Sequence, residues 1–150
     1  MIDQAFVNEV RLRVLTTAAD TTHVPDAVEV ARGFDRPAAD VIEAFRRLGQ
    51  DHIYVLEPGD QSRLRMANPY SAVPTPFSVD VAGRRYFGNC VWDSLGIISL
   101  LGGHGRVLTP CPDCQEPQAL EVVGRRLLSP EGVVHFAVPA RQWWDDIIHT

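Results

Sequence analysis

The sequence predicts an α+β protein: an N-terminal three-helix part, then a small mixed α/β part with mostly antiparallel strands. Three observations carry this expectation. Apolar residues recur at helical spacing early in the chain, as in Ile2, Phe6, Val10 and Val14. Two-residue alternation then takes over on either side of Pro58-Gly59-Asp60. Beyond a proline-rich run, Asn68 to Pro76, short β-type segments alternate with glycine turns. The implied boundaries are 1–67 and 68–150.

The first stripe predicts a helix over about 2–18, broken by Ala19-Asp20-Thr21-Thr22. Pro25 suits the first turn of a second helix, with Val28 and Ala31 facing inward and a stop at Gly33. Asp35 is the expected N-cap of a third, with Pro37 in its first turn. That helix should bury Val41, Ile42, Phe45 and Leu48 and end at Gly49. Ile53 to Leu56 and Arg63 to Met66 form a hairpin about Pro58-Gly59-Asp60. Three helices and a hairpin is the winged-helix order. The proline-rich run reads as an extended linker. Strands are expected at Phe77 to Val81 and Arg84 to Gly88, then a helix through Leu95, Ile97, Ile98 and Leu101 to Gly102-Gly103. Arg106 to Thr109, Leu120 to Val123 and Gly132 to Pro139 read as further strands, the last two parted by Gly124 and Ser129-Pro130-Glu131. Gln142 to Asp146 reads as a helical turn, and Ile147-Ile148 as the start of another strand. Trp143-Trp144 beside Arg141 is expected to cap the core.

Composition removes several function classes. The chain has 150 residues, 45% hydrophobic and 22% charged, with a net charge of −5. All 14 basic residues are arginine. Residues 1–67 carry eight Arg against eleven Asp and Glu, so the helical part is not built to neutralise phosphates, which argues against nucleic acid. No apolar run approaches the ~20 residues needed to span a bilayer, and no signal peptide is apparent. Three cysteines make an odd count, which fits free thiols in the cytoplasm better than a disulfide scaffold. No GxGxxG, P-loop or GxSxG sequence occurs.

Cys90 and Asp93 form the most informative pair. They stand three residues apart at the start of a predicted helix and share one face. The helix N-terminus favours a thiolate, while the nearby carboxylate opposes it. Such a pair suits a site where a cation captures the sulfur and the carboxyl keeps the displaced proton. The same residues also fit a buried cysteine and a helix-start carboxylate. Cys111-Pro112-Asp113-Cys114 leaves three readings open. It could be half of a zinc site completed by Cys90, His104 or His135, a redox pair, or a plain strand-to-strand turn. The five histidines show no metal-ligand spacing.

Several segments resemble the organomercurial lyase (alkylmercury lyase) family. They are Asn68 to Phe77, Tyr86 to Gly96 with its Cys-x-x-Asp, the Cys111 turn after a short strand, and Val133 to Pro139. The resemblance implies cleavage of carbon–mercury bonds by protonolysis, giving a hydrocarbon and Hg(II). It implies that Cys90 is the mercury-binding thiolate and Asp93 the proton donor, with Cys111 more structural. It also implies a second catalytic cysteine on a strand following the segment that resembles Gln142–Thr150. The sequence has no cysteine after Cys114. Three expectations follow: a truncated gene product, Cys111 or Cys114 as the second thiol, or a small-molecule thiol in its place. The resemblance further implies no resident cofactor, a need for excess small-molecule thiol, and transfer of product Hg(II) to small thiols or to mercuric reductase. Two other functions compete: a thiol-based mercury- or zinc-binding or sensing protein using Cys90, Cys111 and Cys114 without turnover, and a winged-helix DNA-binding regulator.

Overall fold

The computed structural model describes residues 2–128 and 132–149. Helix α1 (Gln4–Thr21) opens on Asp3, whose side chain accepts the Phe6 N–H at 2.8 Å. Its stripe Phe6, Val7, Val10, Val14 is buried as the four-residue spacing requires. The helix outlasts the predicted break at Ala19. Tyr86 donates its hydroxyl to the Ala19 carbonyl at 2.7 Å, and Arg84 reaches the Asp20 carbonyl. Tertiary donors thus satisfy the last turn, which local propensity alone leaves weak. Thr22, at φ 63°, ends it.

Helix α2 (Ala27–Arg32) starts two residues later than Pro25 suggests, because Asp26 and Glu29 form a capping box. The Asp26 carboxylate accepts the Val28 and Glu29 N–H groups, and Glu29 accepts the Asp26 N–H at 2.8 Å. That phase turns Val28 outward and buries Ala27, Val30 and Ala31. Only Ala31 of the expected inward pair is inside. Helix α3 (Ala38–Gln50) has Pro37, not Asp35, at its N-cap, and Asp35 sits in the preceding turn at φ 52°. Val41, Ala44, Phe45 and Leu48 are buried, with Ile42 at the margin. Gly49 lies inside the helix rather than ending it. A Cβ there would stand 2.8 Å from Leu56 Cδ1, so its role is close approach of helix to hairpin.

The hairpin β1 (Tyr54–Glu57) and β2 (Asp60–Ala67) is antiparallel, with Tyr54 opposite Ala67. The expected linker is partly strand. After the cis Asn68-Pro69 bond, β3 (Tyr70–Ser71) pairs with β2, Ala67 opposite Tyr70. The order is β1-β2-β3. A bridge from Tyr70 to Gly88 ties this sheet to the second one.

The second sheet comprises β4 (Ser78–Val81), β5 (Arg84–Phe87), β6 (Gly105–Pro110), β7 (Pro117–Val123) and β8 (Arg126–Leu127). Its order is β5-β4-β6-β7-β8, every pair antiparallel. Helix α4 (Val91–Leu100) packs against β4 and β6. Ile97 and Ile98 meet Val79, Val81 and Val107 in one apolar cluster. Ala18 of α1 joins that cluster, while the rest of the α1 stripe packs against α2, α3 and the hairpin.

The tail departs from expectation. Residues 132–139 contain no strand, and Val133 and Val134 are exposed. β-branched composition favours a strand only where a partner edge buries it. A 3₁₀ helix (Ala140–Asp145) matches the expected helical turn, but Ile147 and Ile148 lie in a turn, not a strand. Trp144 stacks on His52 with ring centroids 4.2 Å apart, so it covers the end of α3. The expected break at Ser129-Pro130-Glu131 lies outside the described residues. No helix among the described residues is long and apolar enough to cross a membrane.

Candidate active site

The site begins where β5 hands over to α4. Gly88 is pinned from several sides. Its N–H donates to the Phe77 carbonyl at 3.0 Å, and its carbonyl accepts the Thr75 hydroxyl at 2.6 Å. A Cβ at Gly88 would fall 2.3 Å from Ser94 Oγ and 2.8 Å from the Ser94 backbone nitrogen. Only glycine lets the strand pass so close to the first turn of α4. Cys90 follows as the N-cap, extended at φ −150°, and its carbonyl accepts both the Ser94 N–H (3.0 Å) and the Ser94 hydroxyl (2.9 Å).

The structure brings Cys90 and Asp93 together. The thiol donates toward Asp93 Oδ2 at an Sγ–Oδ2 distance of 3.7 Å. Both groups are partly buried. Burial pushes the Asp93 carboxyl above its ordinary value, against the pull of the Asn89 amide and the Cys90 thiol, which favour the anion. Burial also raises the Cys90 thiol, and the Asp93 charge adds to that; the backbone N–H groups of Asp93 and Trp92 act in the opposite direction. The helix-terminus effect expected from sequence is therefore present but outweighed. Cys90 is thus a thiol at neutral pH, and it faces a carboxyl group that holds protons more readily than usual.

Asn89 is the residue that motif reading passed over. Its Nδ2 donates to Asn68 Oδ1 at 3.1 Å and favours the Asp93 carboxylate, tying the linker to the site. Its Oδ1 is buried and has no hydrogen-bond partner among the described residues. Its place directly before Cys90 was the available signal. Ser94, a fully buried hydroxyl in an apolar helix, was another. Trp92, exposed between Cys90 and Asp93, borders a cavity of about 590 Å³ with Phe136, Val138, Pro139 and Trp143.

The other thiols lie elsewhere. Among the described residues no three His, Cys, Asp or Glu side chains gather closely enough to hold an ion. Neither Cys111 nor Cys114 therefore joins Cys90 and Asp93, and the zinc site completed by Cys90, His104 or His135 is not built: a closed site needs four ligands. Cys111 and Cys114 share the β6–β7 turn, Cys111 half-buried and Cys114 exposed. The N–H groups of Cys114 and Asp113 face the Cys111 sulfur and hold its thiol below the ordinary value. The turn at Cys111 leads into β7 and not into a helix, so it lacks the helix that a thioredoxin-like redox pair uses.

The family model for the alkylmercury lyases, MerB, matches residues 70–150, which include β3 to β8, α4 and the whole Cys90–Asp93 turn. The chain belongs to the alkylmercury lyase family. A crystal structure of the mercury-bound form of MerB2 has a similar fold, with a TM-score of 0.61 at 17% identity. The match covers 83% of this chain and 65% of that one, so the chain spans just under two thirds of the MerB2 length. No curated protein matches the chain. The family model covers β3 to the C-terminal tail, so helices α1 to α3 enter the likeness through fold alone.

Proposed function

We propose that the chain cleaves the carbon–mercury bond of R–Hg(II) compounds by protonolysis, with Cys90 as the mercury-binding thiolate and Asp93 as the proton donor. One observation carries the reading: the 3.7 Å contact between the Cys90 sulfur and a half-buried carboxyl whose proton affinity is raised. Mercury(II) is soft and prefers sulfur to oxygen or nitrogen donors, so the thiol is the natural point of capture.

The chemistry balances with the groups at hand. A substrate R–Hg–SR′ exchanges its thiolate for Cys90: the Cys90 thiol proton passes to the Asp93 carboxylate, the sulfur–mercury bond forms, and R′S⁻ leaves. The small-molecule thiolate then adds to mercury and raises electron density at the bound carbon. Asp93 delivers its proton to that carbon, the Hg–C electron pair becomes the new C–H bond, and R–H departs. Asp93 returns to carboxylate, and mercury remains between Cys90 and the small-molecule sulfur. Excess thiol, or mercuric reductase, would remove it. An external thiol takes this part in the proposal, since Cys111 and Cys114 do not gather with the pair among the described residues. No resident cofactor enters these steps.

The test is product release. Phenylmercury with excess thiol should give benzene and Hg(II) in the presence of the protein. Benzene no faster than with Cys90→Ser removes the lyase reading.

A further inference from the structure

The Cys111–Cys114 turn is unused by the proposed chemistry, yet it is firmly built. The Cys111 N–H donates to the Glu116 carbonyl at 2.8 Å, and the Gln115 N–H donates back to the Cys111 carbonyl at 2.8 Å. The Gln115 side chain braces the turn through the Pro112 carbonyl at 3.2 Å. Gln115 takes the left-handed conformation, φ 63°, that closes the loop. The result sets two thiols on one short turn, with the Cys114 thiol and two backbone N–H groups directed at the Cys111 sulfur. Both cysteines are free and reachable from solvent.

We propose that Cys111 and Cys114 form a second soft-metal site, separate from Cys90, that chelates one Hg(II) ion through two thiolates. Coordination number selects the ion. Zinc completes a tetrahedron, and the turn has no third or fourth ligand among the described residues. Mercury(II) is satisfied by two thiolates and favours sulfur above other donors. The N–H groups facing Cys111 compensate the charge that a thiolate ligand carries. The exchange needs no redox partner: Hg(SR′)₂ and two cysteine thiols give the protein dithiolate and two R′SH. A chelate loses its ion only when both bonds open, whereas a single thiol exchanges in one step. The turn would therefore hold inorganic mercury against monothiols that strip Cys90. This inference deepens the lyase reading, since the ion bound is that reaction's product.

The experiment separates the two. The full chain with Cys90→Ser, which abolishes the proposed lyase step, is reduced, loaded with mercuric chloride and passed through gel filtration in excess monothiol. The expected result is one mercury per monomeric chain, with both remaining thiols lost to a thiol reagent. Adding Cys111→Ser or Cys114→Ser should reduce retained mercury at least tenfold. Retention unchanged in those double variants, stripping of the Cys90→Ser protein to the same low level, or one mercury shared by two chains would each overturn the site. Each of these outcomes leaves the benzene assay of the unaltered chain untouched, and absence of benzene leaves retention at the turn unaffected.

Discussion

Gly88→Ala probes how the strand-to-helix junction holds the reactive pair. The new Cβ would stand 2.3 Å from the Ser94 hydroxyl and 2.8 Å from the Ser94 backbone nitrogen. The hydroxyl is already committed to the Cys90 carbonyl, and Ser94 is fully buried. Overpacking of this kind costs about 1–3 kcal/mol. The backbone contact places the cost in the upper part of that range, because the nitrogen cannot rotate away. For a chain of this size a cost of about 2–3 kcal/mol corresponds to a melting temperature lower by roughly 4–12 °C. Ser94→Ala alone should cost about 1 kcal/mol for its lost hydrogen bond. The double variant relieves the hydroxyl clash but keeps the backbone one, so it should cost less than the sum of the singles, with a coupling of about 0.5–3 kcal/mol. Urea unfolding followed by far-ultraviolet circular dichroism reads all four proteins. Wild-type stability in Gly88→Ala, or strict additivity in the double variant, would refute the close-approach account of this glycine.

Three further outcomes follow from the same geometry. Asp93→Asn should stabilise the protein at neutral pH. The folded state raises the carboxyl above its ordinary value, so folding binds the proton more tightly and stability falls as pH rises from the unfolded value through the folded one. Denaturation curves at acid and neutral pH check the sign, and equal destabilisation at both would contradict it. In an alkylation series across pH with peptide mapping, Cys111 should react ahead of Cys90, because its thiol is lowered while Cys90 is raised. The reverse order would mean that burial does not control Cys90. Asp26→Ala removes the capping box and should cost about 0.5–2 kcal/mol in chemical denaturation; a neutral result would show that the α2 start is held by packing alone.

What was legible in the sequence had a short physical range. The stripes of α1 and α3 follow from spacing, and the hairpin follows from alternation about Pro58-Gly59. The Cys90–Asp93 contact follows from three-residue spacing at a helix start. Features set by distant partners stayed hidden. The last turn of α1 depends on Arg84 and Tyr86, more than sixty residues away. The strand at Tyr70 depends on the free edge of β2. The phase of α2 was decided by a capping box that moved its start and turned Val28 out. The net direction of the Cys90 thiol shift was not legible, because burial, which sets it, is a property of packing and not of position on a helix.

Single-turnover cleavage of phenylmercury in deuterated water tests the central chemistry most directly. The unaltered chain, with excess thiol, should release benzene carrying one deuterium. Asp93→Asn should still bind phenylmercury at Cys90, as uptake beyond that of the Cys90→Ser protein, but release benzene about 10²–10⁴ times more slowly, the usual contribution of a placed general acid. Undiminished release from Asp93→Asn, or loss of binding together with release, would contradict the assignment of the proton to that carboxyl.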